Sequence, residues 1–226
     1  MARLLLIGNS RWHWAESSPD GLRCWHSSPG EAIEPGELQA WAAVGTIPRS
    51  ASFASSRQLA LADVPLQGAP PWLGMDRALV GWGAWRQQRQ AVLVADAGTA
   101  LSLTRVSADG CFVGGLISAG VALQLRALAG ATVQLPELKL DDVDRAEAAD
   151  AWPFATPAAM KEGCRRAVAA TIVQAAAAAS GAQLWLTGGD AEVLLPLLQA
   201  HNITTIHAPD LALEAMAALP VLASNP

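Results

Sequence analysis

The parts of this 226-residue chain best suited to chemistry are two aspartates with particular neighbours and two short glycine bends. Asp76 lies in Gly74-Met75-Asp76-Arg77. As the first residue of a helix it would cap the helix; as an ionised carboxylate beside Arg77 it could take a proton from a substrate hydroxyl. Asp96 directly precedes Ala97-Gly98-Thr99 at the end of a strand. It could hold a cation at the rim of a phosphate site, or cap the turn through its own backbone. The bends Gly8-Asn9-Ser10 and Gly98-Thr99 let backbone N–H groups come close to a phosphate, with Asn9, Ser10 and Thr99 supplying further donors. Two ordinary hairpin turns would look the same.

The bends recur in a repeated context. From residue 4 the order is a strand to Ile7, the bend, a second strand, the turn Ser17 to Gly21, and a strand Leu22–His26. From Val92 it is a strand to Asp96, the second bend, Leu101–Val106, the turn Ser107 to Gly110, and Cys111–Gly115. Gly8 and Gly98 are 90 apart, Gly21 and Gly110 are 89 apart, so the spacing is nearly kept. Two copies predict two related lobes, 1–90 and 91–226, rather than a solenoid.

Around the hairpins the pattern predicts a strand over Trp41–Ile47 ended by Pro48, a short helix over Ser55–Ala62, and a helix from Asp76 to about Gln90 with Leu79, Trp82 and Trp85 on one face. Val121–Ala129 reads as helix, and Leu135–Asp150, with Asp141, Asp142 and Asp144, as solvated surface. Thr156 and Pro157 open a helix to Ser180, Thr156 as its cap. Then come strand Gln183–Leu186, helix Ala191–Ala200, strand Ile203–His207 and helix Leu211–Leu219. The sum is an α/β protein with mixed sheets. No Pro-rich or Gly/Ser-rich spacer lies near residue 90, so the lobes are expected to pack together around a cleft.

Composition narrows the chemistry. Fifteen basic and 20 acidic side chains leave a net charge of −5, which disfavours nucleic acid as a partner. Cys24, Cys111 and Cys164 are odd in number and far apart, so neither a disulfide framework nor a zinc site is expected, and a reducing compartment is. Leu4–Ile7 is too short for the apolar core of an export signal. Ala167–Gly189 is uncharged but alanine-rich and broken at Ser180-Gly181; it reads as helix, turn and buried strand, not a membrane span. There is no P-loop, and Lys139 and Lys161 are the only lysines. Gly81-Trp82-Gly83 lies inside a predicted helix and lacks the last glycine of a dinucleotide fingerprint. His13, His26, His201 and His207 form no zinc motif, and no G-x-S-x-G elbow is present. The nine tryptophans read as core and interface residues.

Together these residues resemble the type III pantothenate kinases, members of the superfamily of actin, hexokinase and heat-shock ATPases. Leu6-Ile7-Gly8-Asn9-Ser10-Arg11-Trp12-His13 is similar to the family's first phosphate loop, D-x-G-N-T-x-x-K. Val44-Gly45-Thr46-Ile47-Pro48 resembles the strand that follows. Gly74-Met75-Asp76-Arg77 matches G-x-D-R, Asp96-Ala97-Gly98-Thr99 matches D-x-G-T, and Thr187-Gly188-Gly189 matches T-G-G. Gly114, Gly115 and Gly120 fit the glycine-rich segment after the second hairpin, and Thr156 falls at the position of a substrate-binding threonine. Leu6 and His13 depart from the family's usual aspartate and lysine.

The resemblance implies two ribonuclease H-like lobes with a nucleotide between them, and ATP-dependent phosphorylation of pantothenate to 4′-phosphopantothenate, the first step toward coenzyme A. It implies that residues 6–13 and Thr99 contact ATP, Gly74, Met75, Asp76, Arg77 and Thr156 contact pantothenate, and Asp76 is the proton acceptor. It also implies Mg²⁺ with ATP, K⁺ or NH₄⁺ at Asp96, a homodimer and a cytoplasmic location. Leu6 cannot bind Mg²⁺ or a water on it. That substitution motivates an alternative, a regulatory or ligand-binding member with little activity; another small-molecule kinase of the superfamily is a second alternative.

Overall fold

The computed structural model describes residues 3–19, 21–29, 38–47, 57–138 and 152–223. Strands β1 (Arg3–Ile7), β2 (Trp12–Ser18), β3 (Gly21–Ser27), β4 (Leu38–Ala43) and β5 (Arg57–Gln58) form a five-stranded sheet in the order β3-β2-β1-β4-β5. β1 pairs antiparallel with β2 and parallel with β4, so the sheet is mixed. Strands β6 (Val92–Ala97), β7 (Ala100–Val106), β8 (Phe112–Ala119), β9 (Gln183–Thr187) and β10 (Thr205–His207) form a second, in the order β10-β9-β6-β7-β8. Position for position this is the same path: a three-stranded meander whose first strand receives a later strand, which receives one more. The duplication expected from glycine spacing is thus present in the topology.

Packing divides the chain into two compact units, neither of them one continuous stretch. The first gathers the chain up to Val92, Thr104–Gly114 and the stretch from Asp210 onward; the second gathers Leu93–Leu103 and Gly115–Pro209.

In the first unit, helix α1 (Met75–Gln88) packs on helix α5 (Leu211–Ala217), and α5 on β1 and β2. The expected single apolar face of α1 is instead burial on nearly every side from Met75 to Ala84, Asp76 excepted. The cause lies in two glycines. A Cβ on Gly83 would come within 2.7 Å of the Ala215 Cβ, and one on Gly81 within 3.1 Å of the Thr104 and Val106 methyls. Gly81-Trp82-Gly83 is therefore a helix-packing feature. On the sheet, alternation puts Leu5, Ile7, Trp12, Trp14 and Trp41 in one cluster, with Trp14 and Trp25 stacked at 6.1 Å.

In the second unit, helices α2 (Val121–Ala131), α3 (Thr156–Ala178) and α4 (Ala191–Ala200) share a core with β6, β7 and β9. Met160, Cys164, Val168 and Ile172 recur every four residues on α3 and are buried, while alanine supplies helix propensity on the rest. A four-residue helix α6 (Pro220–Ala223) follows α5. Among the described residues no helix is long and apolar enough to cross a membrane, and the Ala167–Gly189 stretch divides into the end of α3, a turn and β9.

Several local expectations need correction. Arg57–Gln58 is not helical: it adds as a parallel edge to Ala40–Trp41, and Leu59 N–H donates to the Trp41 carbonyl at 2.8 Å. Sheet pairing overrides helix propensity there, and only a short 3₁₀ turn, Leu61–Asp63, follows. β4 ends at Ala43, because the Ile7 carbonyl takes up the N–H groups of both Val44 and Gly45. α1 is capped by Gly74 rather than Asp76, and α3 by Ala155 rather than Thr156, neither with a side-chain bond. Pro48, Ser55 and the acidic run with Asp141, Asp142 and Asp144 lie outside the described residues.

Candidate active site

The first bend is fixed by its own backbone and by β4. Gly8 N–H donates to the Arg11 carbonyl at 3.0 Å, closing a four-residue turn whose Asn9, Ser10 and Arg11 are exposed. Gly45 lies against this turn so closely that any Cβ would strike the Gly8 carbonyl. Ile7 and Trp12 are 0% and 2% exposed in the tryptophan cluster, so they can offer a ligand only backbone groups. Leu6 is 4% exposed, opposite His13 on β2 and Ala42 on β4. The position is an apolar one here, with no carboxylate for a divalent ion.

His13 stands beside the bend, its Nε2 3.3 Å from where a Gly8 Cβ would be, and meets His26 edge to face at 4.8 Å. Burial, then His26, then Arg11 push its pKa down to about 4 from 6.5. It is therefore neutral at pH 7, unlike the family's lysine. Between pH 4 and 6.5 the unfolded chain binds more protons at this site than the folded one, so the stability present above pH 6.5 is lost as pH falls toward 4. The slope is at most about 1.4 kcal/mol per pH unit, and less because the ring is partly exposed. Urea midpoints measured from pH 4.5 to 7.5 are expected to drop less steeply for His13→Gln than for the natural chain.

Asp76 sits in the first turn of α1, at the positive end of the helix dipole. Its Oδ1 accepts the Arg77 N–H at 2.8 Å. A Cβ on Gly74 would come within 2.6 Å of that oxygen, so the glycine leaves the carboxylate its place. Met75 and Arg77 are both 9% exposed, whereas Asp76 is only partly buried. Arg77 Nε donates to Thr104 Oγ1 at 3.3 Å, and its guanidinium carbon lies 5.7 Å from the Phe112 ring centre. Burial lowers its pKa, and Asp76 acts in the opposite direction.

In the second unit, the Asp96–Thr99 turn is closed from two directions. Gly98 N–H donates to the Ala100 carbonyl at 3.1 Å, and Gly120, the residue before α2, donates to the Thr99 carbonyl at 3.1 Å. A Cβ on Gly120 would strike the Gly98 carbonyl. From the other direction Asp190 N–H donates to the Ala97 carbonyl at 2.9 Å. Gly188 has φ +91°, and a Cβ there would strike the Ala97 carbonyl and reach within 2.6 Å of Asp96 Oδ1. Thr187-Gly188-Gly189 and the Asp96 turn are therefore one assembly. Thr156 is exposed at the first turn of α3 and is not among the residues that close this turn.

Set beside known proteins, residues 53–178 match the profile of a family described as type III pantothenate kinase. The chain belongs to the type III pantothenate kinase family. It is 39% identical over 175 residues to the type III pantothenate kinase of Thermosynechococcus vestitus, covering 74% of this chain and 67% of that one. To the type III pantothenate kinase of Synechococcus elongatus it is 33% identical over 223 residues, covering 88% of each. Among solved structures it is similar to a Campylobacter jejuni protein described as a Baf family transcriptional activator, with a TM-score of 0.66, 20% identity and 96% of each chain covered. It is also similar to the ADPNP-bound activator of 2-hydroxyisocaproyl-CoA dehydratase from Clostridium difficile, with a TM-score of 0.57, 11% identity and 98% and 94% coverage. Those two show the fold. The family match contains both Asp76 and Asp96, while Gly8 lies before it.

Sequence reasoning named the glycines but not what they press against, and it missed Thr104 and Phe112. Gly45 was visible only as a glycine inside the expected strand Trp41–Ile47, which the structure ends at Ala43. Thr104 carries no such signal; it is one more β-branched residue in β7.

Among the described residues no group of three or more His, Cys, Asp or Glu could hold a metal. The carboxylate at this turn is Asp96, packed so tightly against Gly188 that a Cβ there would come within 2.6 Å of its Oδ1.

Proposed function

We propose that this chain is an ATP-dependent pantothenate kinase, transferring the γ-phosphoryl group of ATP to the primary hydroxyl of pantothenate. The products are ADP and 4′-phosphopantothenate, the first step toward coenzyme A. The observation that carries the reading is the Asp76 carboxylate, held by the Arg77 N–H at the start of α1 in a partly exposed position, within the family match.

Asp76 accepts the hydroxyl proton as the substrate oxygen attacks phosphorus in line. Its Oδ1 is occupied by backbone, which gives the proton to Oδ2. Arg77, with Gly74, Met75 and Thr156, fixes pantothenate. The turn at 8–11, His13 and Thr99 contact the triphosphate; Leu6, Ile7 and Trp12 contribute through backbone. The divalent ion arrives as MgATP, a substrate, since Leu6 supplies no ligand. Asp96 would hold K⁺ or NH₄⁺, whose positive charge would offset the negative charge of the phosphates.

The test is a coupled ADP-release assay with and without pantothenate, run across monovalent salts. Pantothenate-dependent release stimulated by K⁺ or NH₄⁺ is expected; release indifferent to pantothenate overturns the reading. Buried Leu6 favours one second reading, a ligand-binding member with little turnover, for which pantothenate binds without ADP release.

The working form is a homodimer in the cytoplasm, with the alanine-rich α3 at the interface. Free Cys24, Cys111 and Cys164 support a reducing compartment. The Cys24 thiol is pushed up to about 11, by burial and then by Asp210 and Glu214, so it stays protonated. Light scattering is expected to give twice the chain mass; a monomer contradicts the dimer.

A further inference from the structure

We propose that Thr104 and Phe112 are positioning residues for the acceptor substrate: together they hold the Arg77 guanidinium in one orientation beside Asp76. The inference rests on the reading that Gly74-Met75-Asp76-Arg77 contacts pantothenate.

Arg77 is a cation in a 9%-exposed position, and among the described residues no carboxylate reaches ion-pair distance of it. A protein carboxylate there would occupy the two-pronged face that suits a carboxylate or hydroxyl of a ligand. The chain restrains the group by neutral means. Thr104 is fully buried, and its hydroxyl accepts from Nε at 3.3 Å, the one nitrogen off that face. Phe112 offers its ring 5.7 Å from the guanidinium carbon, within cation–π range. Phe112 is itself anchored: its N–H donates to the Gln67 carbonyl at 2.8 Å, and Gln67 N–H donates to the Gly110 carbonyl at 3.2 Å. Position and plane of the fork are set while its charge remains for a ligand.

The test is steady-state kinetics on the full chain, varying pantothenate and ATP separately, for Thr104→Val, Thr104→Ser, Phe112→Leu and Arg77→Gln. Thr104→Val keeps the shape and removes the acceptor, so the pantothenate KM should rise about tenfold or more. The ATP KM and kcat should stay within about twofold of the natural chain, and Thr104→Ser should restore the pantothenate KM. Phe112→Leu should raise the same constant by a smaller factor. A Thr104→Val enzyme with an unchanged pantothenate KM overturns the proposal, and so does a uniform loss on both substrates that serine does not restore. If Thr104→Val does not fold, Phe112→Leu decides by the same split. If Arg77→Gln leaves the pantothenate KM unchanged, the acceptor-site reading of Arg77 fails. If Arg77→Gln raises it and Thr104→Val does not, only the positioning role fails.

Discussion

Asp76→Asn is expected to lower turnover with pantothenate by about a hundredfold or more while leaving the fold intact. Asparagine has the same shape, and its carbonyl oxygen can still accept the Arg77 N–H that Asp76 Oδ1 accepts at 2.8 Å. Position is thus preserved, and only charge and basicity are lost. The cost in stability is that of one negative charge at a helix start, about 0.3–1 kcal/mol. Measuring kcat by ADP release together with the melting temperature separates the effects. Near-normal turnover in a well-folded Asp76→Asn enzyme would remove the base from the mechanism.

The second large effect is expected at Gly188. Alanine there must adopt φ +91° and also push its methyl into the Ala97 carbonyl and the Asp96 carboxylate. The left-handed backbone costs about 1–2 kcal/mol and the collision a further ~1–3 kcal/mol. A melting temperature lower by roughly 4–20 °C follows for a chain of this size, with loss of any stimulation by monovalent salt. Gly181 is the built-in comparison. It has φ +82° but no atom within 4 Å of the place a methyl would take, so Gly181→Ala should show only the backbone cost and keep its response to salt. Equal melting shifts for the two variants would show that the crowding at Asp96 carries no energy.

What could be read from the sequence follows from the range of the forces involved. The two meanders were legible because turn residues and alternation act within a few positions, and the matching sheet orders bear out the repeat. Helix α4 was placed to the residue for the same reason. Arg57–Gln58 was misread because its conformation is decided by a strand more than a dozen residues earlier, Ala40–Trp41. The helix caps were misplaced by one or two residues because Asp76 and Thr156 have the right side chains, yet the chain enters each helix through a residue with no capping group. In the candidate site, the local motifs around Asp76 and Asp96 were visible. The contacts that hold them were not, since Arg77 and Thr104 are 27 positions apart and meet only in the folded chain.

The interleaved make-up of the first unit bears on how the protein is born. Gly83 of α1 rests on Ala215 of α5, and α5 also lies on β1 and β2. Strands β1 and β2 therefore wait, as the ribosome works, for a helix that is made long after them. Until α5 arrives, the apolar surface it covers on α1, β1 and β2 stays open, which is the kind of transient exposure that favours aggregation.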